Sequence, residues 1–276
     1  MSVTCIGDDF YRCTKQPFPS LRILEIIQLS DLEEWNEALP LPPISTSSQC
    51  SFPLLEELTI LGCPRLKNMP TLFPNLRNLI IHDCNSTVVM MLGITSKFTS
   101  LISLKFQEFQ TLTQIPPRLL SNNKLLQCLE IRECPMLQLF PTEELEGLTA
   151  LQELTVGGFS ETLDCFPYLS PLADEEKGGA NQELHIDNFP NIVNLPDWLG
   201  NLHLLQDLEL FNCPKLIHLP SLEAFRQLTA LHKLDIYACL ELGERCANDQ
   251  GEESTNYLMF RGSPSIMKST SFKDTA

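Results

Sequence analysis

One spacing of apolar residues recurs along the chain: Leu-x-x-Leu-x-(Ile/Leu)-x-x-Cys-Pro. It is complete at 55–64, 126–135 and 205–214, and residues 21–26 form the first copy. Degenerate copies lie at 76–84, 101–109, 151–159, 184–189 and 231–239. The second leucine of each copy falls at 24, 58, 79, 104, 129, 154, 184, 208 and 234. The pattern therefore predicts nine similar units in series.

Within each unit the Leu-x-Ile pair alternates with polar neighbours, which is the period of a short, half-buried strand. One such strand cannot bury its own apolar face, but strands stacked in parallel form a continuous leucine ladder. A unit of this length with this internal pattern is typical of a leucine-rich repeat. We therefore predict an α/β-type solenoid, a leucine-rich-repeat horseshoe whose concave face is a parallel sheet of about nine short strands.

Proline marks two positions in the unit. The Cys-Pro step ends the strand, because proline has no N–H to donate. A second step follows eleven and twelve residues after the second leucine, at Met69-Pro70, Ile115-Pro116, Phe140-Pro141, Leu195-Pro196 and Leu219-Pro220. This step predicts irregular or 3₁₀ structure, not long helices, on the convex side.

The period delimits the domains. The repeats occupy 18–242, so we expect 1–17 to be the end of a preceding, truncated repeat, and 243–276 to be a C-terminal cap remnant with a disordered tail. Residues 31–51 and 170–181 interrupt the period as an irregular loop and a polar excursion. No polar capping unit precedes the first repeat, so we expect the chain to be the C-terminal part of a longer protein.

Five of the eleven cysteines occupy one equivalent repeat position, at 63, 84, 134, 213 and 239. Small, buried, apolar side chains suit this position. No pair has Cys-x-x-Cys spacing, and the other six are scattered, so the sequence predicts free thiols in a reducing compartment and no metal site.

Net charge limits the classes of partner. The chain carries 35 acidic and 19 basic side chains, a formal charge of −16, which disfavours nucleic acid and anionic membranes. No apolar run approaches a membrane span, and the N-terminal residues do not resemble a signal peptide. We expect a cytoplasmic protein without a membrane span, in which the glycosylation sequon Asn85-Ser86-Thr87 is a coincidence.

Catalytic motifs are missing from the sequence. It has no nucleotide P-loop, no His-Glu-x-x-His and no Gly-x-Ser-x-Gly, and its five histidines are dispersed. Gly157-Gly158 and Gly178-Gly179 are predicted to lie in turns. We therefore expect no enzymatic activity and no cofactor.

Alternation also predicts which side chains point outward on the concave face. The central column is Glu25, Thr59, Ile80, Lys105, Glu130, Thr155, His185, Glu209 and Asp235. The C-terminal half of the face is acidic with two aromatics, so we predict a docking face for a basic protein surface, although ordinary solvation also explains polar residues there. Its candidate residues are Glu130, Arg132, Glu153, Glu183, His185, Asp187, Asp207, Glu209, Phe211, Lys233, Asp235 and Tyr237.

Four segments carry a family resemblance: the run at 55–70, the Ile-Gly-Asp-Asp-Phe-Tyr run at 6–11, Glu33-Glu34-Trp35, and the closing segment 239–252. Together they resemble the repeats of plant nucleotide-binding leucine-rich-repeat disease-resistance proteins (NLRs) of the coiled-coil class. In such proteins a coiled coil and a switch domain that binds ADP or ATP precede the repeats. Neither is present in this sequence.

The resemblance implies a protein-recognition and autoinhibition module of an intracellular plant immune receptor that acts in the defence response. The expected partners are the nucleotide-binding switch domain of the same receptor, and a pathogen effector or modified host protein that the module senses. The alternative is a stand-alone cytosolic leucine-rich-repeat scaffold or substrate adaptor.

Overall fold

The structure is a computed structural model that describes residues 3–11, 17–37, 51–95, 98–116, 118–138, 145, 148–160, 166 and 182–247. Nine strands form one sheet: β2 (Ile23–Ile27), β4 (Glu57–Cys63), β5 (Asn78–Cys84), β6 (Ser103–Gln107), β7 (Cys128–Arg132), β8 (Glu153–Gly157), β9 (Gln182–Asp187), β10 (Leu205–Phe211) and β11 (Lys233–Tyr237). A second sheet pairs β1 (Cys5–Ile6) with β3 (Glu34–Trp35).

Each strand of the large sheet pairs in parallel with the strand of the next repeat, so the strand order follows the chain. The register aligns the second leucines in one column, from Leu24 to Leu234, and the following Ile, Phe, Val or Leu residues in another. From Leu58 to Leu234 the leucines of this column are almost completely buried. The predicted solenoid with a nine-stranded parallel sheet is confirmed.

A left-handed residue follows the concave columns in every repeat. Positive φ angles occur at Gln28, Gly62, Asp83, Glu108, Glu133, Gly158, Asn188, Asn212 and Ala238. The backbone N–H of several of them continues the ladder, as where Asn188 donates to the Phe211 carbonyl at 2.8 Å. Only glycine, and to a lesser degree Asn and Asp, adopts this conformation easily. The turn is therefore set by backbone geometry as well as by the Cys-Pro step.

The convex side differs from the prediction in one unit. It contains a 3₁₀ helix, Asp197–Asn201, and a short α-helix, Leu222–Gln227, but also a ten-residue α-helix, Ser86–Thr95. The repeat of β5 lacks the second proline step, so nothing stops a helix there. Asn85 caps this helix, because its side-chain oxygen accepts a hydrogen bond from the Thr87 N–H at 3.0 Å. The sequon asparagine thus has a structural role.

Aromatic side chains fill the N-terminal end of the core. Trp35 is fully buried, and its Nε1 donates to the Tyr11 hydroxyl at 2.9 Å. The Tyr11 hydroxyl in turn donates to the Asn36 carbonyl at 2.8 Å. Phe52 packs against both rings, with centroid distances of 6.0 Å. These contacts tie 3–11 and the β3 segment to the first repeats.

Several predicted features lie outside the described residues: positions 38–50 of the irregular loop, the excursion at 170–181, the Phe140-Pro141 step and the segment after 247. The division into 1–17, 18–242 and 243–276 stays a prediction.

Candidate protein-binding face

The strand register places the twelve candidate residues in three concave columns. Glu130, His185, Glu209 and Asp235 lie in the central column. Glu153, Glu183, Asp207 and Lys233 lie in the column on the N-terminal side of each strand, and Arg132, Asp187, Phe211 and Tyr237 in the column at the strand ends. Side chains in one column are about 4.8 Å apart along the sheet, so neighbours are in reach of each other.

An open depression of about 370 Å³ lies in this part of the face. It is lined by Glu130, Arg132, Glu153, Thr155, His185, Ile186, Asp187, Glu209 and Phe211. Seven of these are candidates from the sequence, whereas Thr155 and Ile186 were not. Thr155 could have been found from its place in the central column, but Ile186 points to the core and alternation could not identify it. Glu183, Asp207, Lys233, Asp235 and Tyr237 lie beside the depression on the same face.

The two glycines at the end of β8 bring the neighbouring strands close together. A Cβ atom on Gly157 would lie 1.6 Å from the Asp187 carbonyl oxygen, and one on Gly158 would lie 2.7 Å from the Glu133 nitrogen. Gly157 is the last residue of β8 and contributes no side chain to the face. The predicted turn is wrong for Gly157, which lies in the strand. A glycine is needed there because the Asp187 backbone approaches too closely for a side chain.

Two of the carboxylates in the depression are neutralised by the protein itself. Lys105 Nζ lies 3.0 Å from one Glu130 oxygen, and Arg132 Nη1 lies 3.5 Å from the other. Arg132 also forms an ion pair with Asp187. Burial raises the pKa of Asp187, although the charge of Arg132 opposes this. Burial alone would lower the pKa of Lys105, but its hydrogen bond to Glu130 and the charge of Glu130 raise it overall.

Further along the face the carboxylates are less compensated. His185 Nδ1 lies 3.0 Å from a Glu209 oxygen, and its Nε2 lies 3.6 Å from a Glu183 oxygen. Lys233 Nζ lies 3.1 Å from an Asp235 oxygen, and that hydrogen bond raises the pKa of Lys233. Between β6 and β11 the three columns hold seven carboxylates against three permanent cations. This part of the face is therefore net negative.

The N-terminal part of the concave face has a different character. Ile23 and Ile27 on β2 are 56% and 45% exposed, and Leu61 and Ile80 on the next two strands are half-buried. Glu25 and Glu57 are exposed carboxylates of this part. The N-terminal end of the concave face thus combines exposed apolar side chains with two carboxylates, whereas most of the carboxylates lie at the C-terminal end.

The seven cysteines within the described residues are free thiols: Cys5, Cys63, Cys84, Cys128, Cys134, Cys213 and Cys239. Burial raises the pKa of the Cys134 thiol to about 12. Cys13, Cys50, Cys165 and the side chain of Cys246 lie outside the described residues. In the described part of the chain no three His, Cys, Asp or Glu side chains converge to hold a metal ion. None of the helices described there is long and apolar enough to cross a membrane.

Comparisons with known proteins found similar plant sequences and a similar solved structure. No protein-family model matches the chain. The chain is 29% identical over 188 residues to the Arabidopsis thaliana protein SUPPRESSOR OF npr1-1, CONSTITUTIVE 1, covering 68% of this chain and 12% of that protein. It is 27% identical over 222 residues to a putative disease resistance protein of the same plant, covering 77% of this chain and 17% of that protein.

A third Arabidopsis relative, the putative disease resistance RPP13-like protein 1, is 29% identical over 162 residues, 57% of this chain and 14% of that protein. The chain therefore spans less than a fifth of the length of these three relatives. Among solved structures, the leucine-rich repeat domain of the type III effector XopL matches 83% of this chain and 71% of that chain, with a TM-score of 0.45 and 24% identity.

Proposed function

We propose that this leucine-rich-repeat chain, a relative of plant disease-resistance proteins of the NLR type, is the protein-recognition and autoinhibition module of an intracellular immune receptor of the coiled-coil class. In this role it holds the nucleotide-binding switch domain off at rest and senses a pathogen effector or a modified host protein. It acts by binding in the cytoplasm and performs no catalysis. The free thiols support a reducing compartment.

The observation that carries the proposal is the acidic half of the concave face. Seven carboxylates and three permanent cations lie in the columns from β6 to β11. Complementary charge steers association and sets its dependence on salt. A basic surface on the switch domain is the partner that this charge favours.

The acidic half of the concave face also carries aromatic side chains, which solvation of polar residues alone does not explain. Phe211 lines the depression and is 44% exposed, and its register partner Tyr237 is half-buried in the same column. Exposed aromatics are over-represented among the residues that dominate binding energy. They supply apolar anchors within the acidic surroundings.

The test is co-purification with the switch domain of the receptor that contains these repeats, expressed separately. Glu183→Lys with Glu209→Lys reverses two half-exposed carboxylates, and we expect it to weaken binding. Asp235 is unsuitable for reversal, because it is only 4% exposed and a lysine there would disturb folding. The matched control is Glu25→Lys with Glu57→Lys, which makes the same charge change at the other end of the face.

Equal weakening by both pairs would show that only total charge matters. Undiminished binding of the Glu183/Glu209 variant would contradict docking through this half. If no switch domain binds the wild-type chain but another basic protein does, the alternative of a stand-alone scaffold or adaptor is favoured.

A further inference from the structure

We propose that the depression on the concave face receives an arginine side chain of the partner protein, held between Glu153 and Glu209 and against the ring of Phe211. This inference rests on the proposed function and specifies the chemistry of the partner. It is carried by the way the protein already arranges one of its own arginines in the same depression.

Arg132 shows which arrangement of carboxylates this sheet uses for a guanidinium. Its side chain contacts Glu130 on β7 and Asp187 on β9, two carboxylates that lie two strands apart. The planar guanidinium has five donors and can bridge two carboxylates in this way. Gly157 leaves the intervening strand without a side chain, so the bridge is not obstructed.

A second pair of carboxylates has the same relative placement one strand further along the sheet and one column nearer the N-terminal side of the strands. Glu153 on β8 and Glu209 on β10 also lie two strands apart, roughly 10 Å across the sheet, and both line the depression. Among the described residues, no Lys or Arg lies within ion-pair distance of either carboxylate. His185 contacts Glu209, and the charges of Lys105 and Lys233 act on Glu153 and Glu209 only from farther away. The intervening strand β9 carries Glu183 and His185 here in place of a glycine, so a guanidinium from a partner would lie over His185 to complete this second bridge.

Phe211 selects the type of cation. It lines the depression and is 44% exposed, so an incoming side chain can lie against its ring. Arg stacks on aromatic faces through its flat, weakly hydrated guanidinium, whereas the ammonium group of Lys is compact and strongly hydrated. The shape and the paired carboxylates therefore favour arginine over lysine.

Asymmetry of the face fixes where the arginine binds. The concave residues of β2, β4 and β5 include Ile23, Ile27, Leu61 and Ile80, which offer an arginine no charge partner. Seven of the nine carboxylates in the three columns lie from β7 onward. A partner segment is thus oriented with its basic end over β8 to β10.

The experiment is an NMR titration of the isotope-labelled chain with N-acetyl-arginine amide, N-acetyl-lysine amide and N-acetyl-citrulline amide. Citrulline has nearly the shape of arginine without its charge. We expect saturable shifts at the amides of Glu153, Glu209 and Phe211 with arginine in the millimolar range, weaker ones with lysine, and none with citrulline. Glu153→Gln with Glu209→Gln should abolish the shifts.

The matched control is Glu25→Gln with Glu57→Gln, which removes the same charge from the same face outside the depression and should leave the shifts unchanged. Phe211→Leu should reduce the preference for arginine over lysine. Absence of saturable shifts, equal shifts with citrulline, or equal loss in the control variant would overturn the inference.

The two proposals fail separately. If the arginine amide does not bind but reversal of Glu183 and Glu209 still weakens binding to the switch domain, the depression is not an arginine site and the docking face stands. If the arginine amide binds but the switch domain does not, the site stands and the proposed partner is wrong.

Discussion

Arg132 and Asp187 form an ion pair across Gly157, although they belong to β7 and β9, which are not neighbouring strands. The pair is possible because Gly157, on the strand between them, has no side chain. The residues that follow these strands make a similar contact. Asn188 Nδ2, after β9, donates a hydrogen bond to Glu133 Oε1, after β7, at 3.0 Å, and Gly158 is the residue between them in the sheet. At the double glycine, side chains of the repeats on either side of β8 therefore contact each other directly.

Gly157→Ala should destabilise the protein by about 1–3 kcal/mol, because its new methyl group would lie 1.6 Å from the Asp187 carbonyl oxygen and the strands must separate. Gly7→Ala is the control, since its Cβ would meet only Cys5 Sγ at an ordinary 3.7 Å. Urea unfolding measures both. Similar urea midpoints for the two variants would show that the backbone of β9 does not approach Gly157 closely enough to exclude a methyl group.

Leu129→Asp should cost at least about 3 kcal/mol, because it buries an unpaired carboxylate within the fully buried leucine column. Gln127→Asp, two residues earlier and exposed, should leave the unfolding midpoint nearly unchanged. Comparable losses for these two variants would mean that the register of β7 is wrong.

Comparison of Leu129 with its neighbour Glu130 shows what sequence patterns can predict. Period-2 alternation identifies Leu129 as internal and Glu130 as outward-facing, and the structure agrees. Alternation does not reveal that Glu130 is only 6% exposed, because the long side chains of Lys105 and Arg132 on the same face cover it. Burial of an outward residue depends on its cross-strand neighbours, which the pattern of one strand does not contain.

Backbone geometry was equally hidden from the sequence pattern. The repeat spacing locates the end of each strand but does not require the left-handed residue found there, since Gln28, Glu108 and Ala238 are not residue types that favour it. The stacked repeats impose the conformation. The predicted turn holds for Gly158, the left-handed residue after β8, whereas Gly157 is the last residue of β8 and is required by the close approach of the Asp187 backbone.

Alkaline pH should weaken the N-terminal end of the solenoid. Burial raises the pKa of Tyr11 from 10.0 to about 12, so the folded state retains the phenolic proton longer than the unfolded state. The contribution of the protonated Tyr11 hydroxyl to the free energy of unfolding is fully present below pH 10. It is lost as pH rises toward 12, a change of about 2–3 kcal/mol. Tyr11→Phe should be less stable at pH 8, since it removes the acceptor of Trp35 Nε1, and should lose less stability between pH 10 and 12. The same pH dependence in both proteins would contradict this role.

Thiol reactivity should separate the cysteines into two groups. Cys63, Cys84, Cys134, Cys213 and Cys239 are buried, so the native protein should react slowly at these positions and rapidly at exposed Cys5. After denaturation without reductant, all eleven cysteines of the sequence should titrate. A count well below eleven would reveal disulfides and contradict a reducing compartment.

The most direct test of the docking face is the rate at which the switch domain associates with the immobilised chain, measured at low and high salt. The wild-type association rate should fall steeply with added salt, because seven carboxylates steer a basic surface toward β6–β11. Glu183→Lys with Glu209→Lys should lower the rate at low salt and flatten this dependence, while the Glu25/Glu57 control retains it. A wild-type rate independent of salt, or an unchanged salt dependence in the Glu183/Glu209 variant, would show that the acidic half of the concave face is not the docking surface.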